Sequence, residues 1–330
     1  MNYTNIDDIP LLLKEFLSHI YAINNKSALT VDEYALDLKL FLRFTVKNKG
    51  LCSPTDDINS VYIKDLDIDF FKSITLLDAY YFMSYCKDVR DNHEATRARK
   101  VASIRAFFKY LTVQRKLLIE NPMQELETPK KKKSLPKYLT LEESLKLLDA
   151  VDGKFKERDY CILVLFLNCG LRLSELVSIN YNRIKDNNTL TVLGKGNKER
   201  TIYLNNACID AVKNYMKVRP VDGVLEKDKD ALFLSSRLKR ISPKTVQHMV
   251  DTYLDKAGLG GRGLSTHKLR HTAATLMYQH GKVDVLVLKD ILGHENLGTT
   301  EIYTHLVDDQ LKKASEQNPL ANVKQTKKQN

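Results

Sequence analysis

A lysine-rich segment flanked by prolines divides the sequence and limits the folds open to it. The run Glu127-Thr-Pro-Lys-Lys-Lys-Lys-Ser-Leu-Pro136 follows Asn121-Pro122, where the preceding helical pattern stops. Proline resists helix continuation and clustered ammonium groups repel one another, so the run is predicted to be an extended linker. The 330-residue chain is long enough for two cores. We expect domains over residues 1–125 and 139–310, a linker over 126–138 and a tail over 311–330.

The positive charge is segregated along the chain. Lys and Arg number 52 against 41 Asp and Glu, giving a net charge of +11, and residues 1–125 carry equal numbers of both signs. The whole excess therefore lies beyond residue 125, which suggests a polyanionic partner. The four linker lysines either keep the linker soluble or bind a phosphate backbone. They are Lys130, Lys131, Lys132 and Lys133.

Composition excludes several classes of protein. With 43% hydrophobic and 28% charged residues and a mean hydropathy of −0.34, the chain is typical of a globular protein. Its longest apolar stretch, residues 161–167, is far shorter than the ~20 residues of a bilayer span, and the N-terminus carries no targeting pattern. Five cysteines without a CxxC pair indicate reduced thiols in a cytosol-like compartment, not a disulfide framework or a cysteine zinc site.

Before the linker, apolar residues recur at helical spacing. The pattern predicts helices within residues 11–20, 34–44, 76–85 and 93–113. In the last of these, one stripe should be buried and another should face outward. The buried stripe is Val101, Ile104, Phe108 and Leu111, and the outward residues are Arg99, Ser103, Ala106 and Lys109. A basic outer face is either solvated or lies against DNA phosphates.

After the linker, helix signals lead to an arginine. Thr140-Leu-Glu-Glu143 is a capping-box pattern that opens a helix. The nearly all-apolar residues 159–167 predict a buried central helix, which should end at Cys169-Gly170 with the glycine as its C-terminal cap. Arg172 follows this turn, and Ser174 and Glu175 should begin the next helix.

The strongest strand signal predicts a β-hairpin. Residues 189–193 and 199–204 alternate in the manner of strands, and the turn Gly194-Lys-Gly-Asn197 carries Lys195. The pattern does not favour a phosphate-binding P-loop, because the GxxxxGK[ST] spacing is absent and a strand follows.

Two further segments carry histidines, an arginine and a tyrosine. Residues 264–281 predict a helix with His267 and Arg270 on one face. His267 and His271 could instead bind zinc, but the HExxH glutamate is absent and neighbouring cations oppose a metal. A helix over 283–292 should end at Gly293, followed by His294 and then Tyr303.

Taken in order, these features resemble the catalytic boxes of the tyrosine recombinase (phage integrase) family, in its Xer branch. The matching stretches are Gly170-Leu-Arg172-Leu-Ser-Glu-Leu176, Gly194-Lys-Gly-Asn-Lys-Glu-Arg200, His267-Lys-Leu-Arg-His-Thr-Ala-Ala-Thr275, and Leu292-Gly-His294 through Ile302-Tyr-Thr-His305. The resemblance implies a mainly α fold. An all-helical, SAM-like core-binding domain would precede a mostly α catalytic domain with a small antiparallel β-hairpin.

The resemblance also implies a reaction and its residues. A tyrosine hydroxyl attacks a DNA phosphodiester, forming a 3′-phosphotyrosyl link and freeing a 5′-hydroxyl, and the family uses no metal or nucleotide cofactor. Tyr303 would be the nucleophile, and Lys195 would protonate the leaving oxygen. Arg172 and Arg270 would clamp the non-bridging oxygens.

Three further positions match the family pattern. His267 would assist proton transfer from the tyrosine or bond the phosphate, and His294 would donate to a non-bridging oxygen. Glu175 would support the first arginine and the histidine. Contacts to DNA outside the catalytic pocket are expected from Arg97, Arg99, Arg105 and Lys109 and from the four linker lysines.

The resemblance further implies a tetramer on two DNA sites, a Holliday junction and exchange of a C-terminal segment, here residues 307–320. The event would be chromosome dimer resolution or the integration, excision or inversion of a mobile element, with or without a paralogous recombinase. The protein should be cytoplasmic, nucleoid-associated and free of membrane contacts. Two alternatives stay open: a type IB topoisomerase-like nicking-closing enzyme and a non-catalytic architectural DNA-binding protein.

Overall fold

The structure, a computed structural model, describes residues 6–129, 137–194, 199–281 and 283–293. The chain divides into two compact units, residues 1–133 and residues 134–330. The mainly α fold with a small antiparallel hairpin is confirmed. Within the described residues, no helix is long and apolar enough to span a membrane.

The regular structure described in the N-terminal unit, residues 6–129, is all helical. Its helices are α1 (Leu11–Ala22), α2 (Ala28–Asn48), α3 (Ile68–Lys72), α4 (Leu76–Asp88) and α5 (Glu94–Lys109), the last continuing as a π-helical turn, Tyr110–Gln114. Phenylalanines fill the core, and the ring centroids of Phe16 and Phe107 lie 5.3 Å apart, edge to face. An edge-to-face pair of this kind adds to the stabilisation that burial of the rings provides.

One detail of the predicted α5 face is wrong. Ser103 was expected to face outward, but it is fully buried, and its hydroxyl donates to the Lys100 carbonyl at 2.9 Å. Phe107 is fully buried as well and contacts Phe16 of α1 and Phe71 of α3. α5 therefore buries a wider face than a single stripe, because it packs against several helices.

A buried ion cluster joins α2 to α5. Asp37 is 1% exposed; its Oδ1 accepts from Lys100 Nζ at 2.8 Å and its Oδ2 from Arg99 Nη1 at 2.6 Å. Arg99 Nη1 also lies 2.7 Å from Glu33 Oε2. Lys100 is itself buried. Because the interior cannot solvate an isolated charge, these groups depend on one another.

The C-terminal unit surrounds a buried helix. Its elements are α6 (Leu141–Asp149), α7 (Lys156–Cys169), α8 (Leu173–Ser178), β1 (Thr189–Leu193), β2 (Glu199–Tyr203), α9 (Asn206–Val218), α10 (Pro243–Lys256), α11 (Thr266–Gln279) and α12 (Val285–Leu292). As predicted, α6 begins with a capping box and α7 is buried. α7 contacts both α9 and α11. The predicted hairpin is confirmed, with Val192 opposite Arg200 in antiparallel register. All five cysteines are free thiols.

Replacing Asp37 with Asn should destabilise the protein, because Lys100 would keep a buried charge without its counter-ion. We expect the free energy of unfolding to fall by about 3 kcal/mol in urea denaturation of the full chain. The matched control is Asp69→Asn, which breaks the exposed pair between Asp69 and Lys72 and should cost far less. Equal losses in the two variants would contradict a structural role for the buried cluster.

Candidate active site

The carboxylate of Glu175 is the centre of the candidate site. Glu175 lies in the first turn of α8 and is 1% exposed. Its Oε2 accepts from the backbone N–H of Arg172 at 2.8 Å, and its Oε1 accepts from Arg172 Nη1 at 2.8 Å and from Arg200 Nη1. Arg270 Nη1 lies 3.9 Å from Oε2. Guanidinium groups from three different elements therefore surround one buried carboxylate.

A glycine turn brings two of these arginines together. α7 ends at Gly170, which has a φ of +57°, and Arg172 is the N-cap of α8. A Cβ at Gly170 would lie 2.7 Å from Leu292 Cδ2, so the turn requires glycine for space as well as for backbone conformation. Arg270 is 3% exposed and donates from Nη1 to the Gly170 carbonyl at 2.7 Å. The turn thus leads directly to Arg172, and its Gly170 carbonyl accepts a hydrogen bond from Arg270.

The same three arginines also bind the end of α12. The last carbonyls of a helix lack intrahelical partners and carry partial negative charge, so cations stabilise this end. Three successive carbonyl oxygens, those of residues 291–293, each accept from a different guanidinium. The donors are Arg200 Nε to Ile291 at 3.2 Å, Arg270 Nη2 to Leu292 at 2.6 Å and Arg172 Nη2 to Gly293 at 2.7 Å. His294 follows directly in the sequence.

The cluster carries a net positive charge. Burial acts to raise the pKa of Glu175, but hydrogen bonds from Arg200 and Arg172 outweigh it and hold the pKa below its ordinary value. The carboxylate is therefore charged at neutral pH and balances one of the three guanidinium charges. Guanidinium forks bind phosphate oxygens well, so the two remaining charges suit a phosphate ligand.

Within the part of the chain that the structure describes, Arg200 Nη2 is buried without a hydrogen-bond partner.

His267 lies beside these arginines on α11. Partial burial lowers its pKa, and Lys268, Arg270 and Arg172 lower it further. Its Nε2 lies 3.1 Å from Nε2 of His271, and one of these nitrogens must donate while the other accepts. The neutral ring is the form able to take up a proton. Among the residues described here, no group of three metal-ligating side chains occurs.

The structure brings together four of the predicted site residues. Arg172, Glu175 and Arg270 are joined by contacts, and His267 is close enough to both arginines for them to lower its pKa. Seven other predicted residues fall outside the described part of the chain. These are Lys195, His294, Tyr303 and the linker lysines Lys130, Lys131, Lys132 and Lys133.

Sequence reasoning missed Arg200 as part of the site. The signal was the alternation of β2, in which Arg200 shares a strand face with the buried Ile202. An arginine on the inward face of an amphipathic strand requires a buried anionic or polar partner. Glu175 is that partner.

In the N-terminal unit, the predicted DNA contacts differ in their surroundings. Arg105 and Lys109 of α5 are exposed. Arg97 is partly buried. Arg99 Nη1 forms ion pairs with Asp37 and Glu33, so part of its guanidinium already has a structural role. Arg105 and Lys109 are thus the two with the most accessible charge.

Sequence comparison matches the chain to the phage integrase family over residues 137–310. The chain is 54% identical over 312 residues to tyrosine recombinase XerC of Caldanaerobacter subterraneus subsp. tengcongensis, a match that covers 94% of this chain and 88% of that protein. It is 33% identical over 312 residues to tyrosine recombinase XerD of Proteus mirabilis, with 93% and 92% covered.

Two solved structures share the fold. The XerH site-specific recombinase bound to palindromic difH substrate, in a post-cleavage complex, matches with a TM-score of 0.70 at 22% identity, covering 92% of this chain and 84% of that one. The Tn1549 transposon integrase in complex with circular intermediate DNA matches with a TM-score of 0.69 at 19% identity, covering 94% and 100%.

Replacing Glu175 with Gln should destabilise the protein most at neutral pH. The folded-state pKa of Glu175 is lowered, so its charge stabilises the fold above the unfolded pKa, and this contribution is lost as pH falls through the folded pKa. We expect a loss of about 3 kcal/mol near neutral pH that shrinks below about pH 4. Urea denaturation across pH measures it, with Glu199→Gln, an exposed position, as the matched control. A loss independent of pH would contradict this electrostatic role.

Proposed function

The chain belongs to the phage integrase family and is a tyrosine recombinase, and we propose that it cuts and rejoins duplex DNA at a specific site. The observation that carries this proposal is the pocket of three guanidiniums around buried Glu175. Two of them, Arg172 and Arg270, are the arginines of the family pattern. The relatives named XerC and XerD match over nearly the whole chain, which supports an Xer-type enzyme.

In this proposal the arginines stabilise charge that develops at phosphorus. Attack on a phosphodiester places extra negative charge on the non-bridging oxygens, and fixed donors aimed at that charge lower the barrier. Arg172 and Arg270 are held rigidly by Glu175, by the Gly170 turn and by the end of α12. Because these buried contacts fix both guanidinium groups, little reorganisation is needed when the phosphate binds.

Proton transfer belongs to the remaining members. The Tyr303 hydroxyl forms a bond to phosphorus while the bond from phosphorus to the 5′-oxygen breaks. Lys195 gives a proton to that leaving oxygen. His267, whose lowered pKa favours the neutral ring, accepts the tyrosine proton or bonds the phosphate. His294 donates to a non-bridging oxygen.

The phosphotyrosyl bond retains the free energy of the phosphodiester. The 5′-hydroxyl of another strand can therefore reverse the attack and rejoin the DNA without ATP. In the assembly that we propose, four protomers hold two DNA sites and exchange strands in two steps through a Holliday junction. Residues 1–125 bind the core DNA site, the basic linker lies along the phosphate backbone, and residues 139–310 form the catalytic domain. Such an enzyme works in the cytoplasm at the nucleoid, alone or with a paralogous recombinase.

A covalent trap tests the chemistry. Wild-type protein incubated with sheared genomic DNA of its organism, followed by sequencing of the protein-linked fragments, identifies the cleaved site. A duplex carrying that site and a nick near the cleavage position should then form a covalent adduct with the wild type and none with Tyr303→Phe. The exposed Tyr203 gives a matched control, and Tyr203→Phe should form the adduct normally.

The outcomes separate three functions. No adduct with any variant indicates the architectural DNA-binding alternative. An adduct together with relaxation of supercoiled plasmid lacking the site, but without strand exchange between two sites, indicates a type IB topoisomerase-like enzyme. Recombinant products from two sites support the recombinase.

A truncation tests the exchange of the C-terminal segment. Ending the chain after residue 308 should leave DNA binding largely intact and weaken cooperative assembly, because residues 309–320 would no longer reach a neighbouring protomer. Gel-shift titration measures binding, and sedimentation with two-site DNA measures the synapse. Ending the chain after residue 320 is the matched control and should change neither. Undiminished synapse formation by the shorter chain would refute the exchange.

A further inference from the structure

Arg200 occupies an unusual place for a strand arginine. It lies on β2 opposite Val192, and its side chain is 13% exposed. Its neighbour Glu199 is exposed and pairs with the exposed Arg183 at 3.5 Å. The two charged residues of β2 therefore face opposite sides of the hairpin, and only Arg200 points toward the Glu175 cluster.

Arg200 makes two anchors with different nitrogens. Nη1 donates to Glu175 Oε1, and Nε donates to the Ile291 carbonyl at 3.2 Å. The guanidinium also lies against Gly293, where a Cβ would come within 3.0 Å of Arg200 Cδ and 3.2 Å of Nη1. One side chain thus ties β2 to the first turn of α8 and to the last turn of α12.

Charge neutralisation does not by itself explain this arrangement. Glu175 already accepts two hydrogen bonds from Arg172, so its carboxylate has a counter-ion without Arg200. Arg172 and Arg270 connect α8, α11 and α12 to one another. Among the hydrogen bonds and ion pairs described for Glu175, only those with Arg200 involve a residue of the hairpin.

We propose that Arg200 is a positioning residue for strand cleavage, which fixes the hairpin relative to the Arg172 and Arg270 pocket. The inference rests on the proposed function. Lys195 lies five positions before Arg200 in the sequence, between β1 and β2. Fastening β2 at Arg200 therefore fixes the strand that follows Lys195, so losing this anchor should chiefly impair protonation of the leaving 5′-oxygen. Misplacing a reacting group by 1 Å can cost about 100-fold in rate.

Lysine cannot replace this arginine. Its ammonium is a single point of charge, whereas the guanidinium directs Nη1 and Nε toward two separate acceptors. Arg200→Lys keeps the positive charge and most of the stem, which protects folding. Arg200→Met keeps the stem and removes the charge.

Single-turnover cleavage of two substrates tests the proposal. Both are nicked duplexes carrying the site recovered from the wild-type adducts, and one has sulfur in place of the 5′-bridging oxygen at the scissile phosphate. A thiolate leaves without needing a proton, so the sulfur substrate bypasses the general acid. We expect Arg200→Lys and Arg200→Met to cleave the oxygen substrate about 10- to 100-fold more slowly than wild type. On the sulfur substrate their rates should return to within about threefold of wild type.

Two comparison variants make the result specific. Arg183→Lys removes an exposed arginine beside the same strand and should match wild type on both substrates. Arg270→Lys alters the phosphate clamp itself and should stay slow on both. DNA affinity, measured by gel shift, and the midpoint of thermal unfolding should change little in Arg200→Lys.

Each contrary result overturns the inference. A defect of Arg200→Lys that is equal on oxygen and sulfur substrates shows that Arg200 does not act through the leaving group. Wild-type rates in both Arg200 variants show that the hairpin needs no such anchor. If wild-type protein cleaves neither substrate, the proposed function itself fails, and that outcome is distinct from the first two.

Discussion

The pocket depends on one buried carboxylate. Glu175 is almost fully removed from solvent, and a charge in that position is tolerated only when hydrogen-bonded cations surround it. Arg172 at the N-cap of α8 and Arg200 of β2 donate hydrogen bonds to this carboxylate, and Arg270 of α11 adds a third positive charge 3.9 Å away. Glu175 orients the arginines and thereby determines where the positive charge of the site lies.

The end of α12 supplies the second half of the arrangement. Three guanidiniums repel one another, and one carboxylate balances only one of them. The carbonyls of residues 291–293 carry the negative end of the helix dipole and accept from all three. Glu175 and the helix end together hold a cluster that keeps an excess of positive charge. An excess held in place by buried contacts is available to a phosphate, whereas the same charges on flexible surface side chains would be screened.

Local patterns predicted most of the helices and the hairpin correctly. The capping box at Thr140, the glycine cap at Gly170 and the alternation of β1 depend on residues a few positions apart, so the sequence displays them directly. The predicted outward position of Ser103 is wrong because burial on α5 depends on which helices pack against it. Arg99, predicted as a DNA contact, also serves an ion cluster with Asp37, 62 positions earlier.

By itself, the sequence predicted a two-domain plan and determined the charge of the C-terminal part. It also displayed the ordered set of residues that resembles the family pattern, namely Arg172, Lys195, His267, Arg270, His294 and Tyr303. Only the tertiary structure decided which contacts hold Arg172 and Arg270 in place and that Arg200 lies beside them. Arg200 meets partners 25 and 91 positions away. The physical reason is that hydrogen bonds and desolvation act through space, so the two acceptors that Arg200 binds, Glu175 and the Ile291 carbonyl, come together only when the chain has folded.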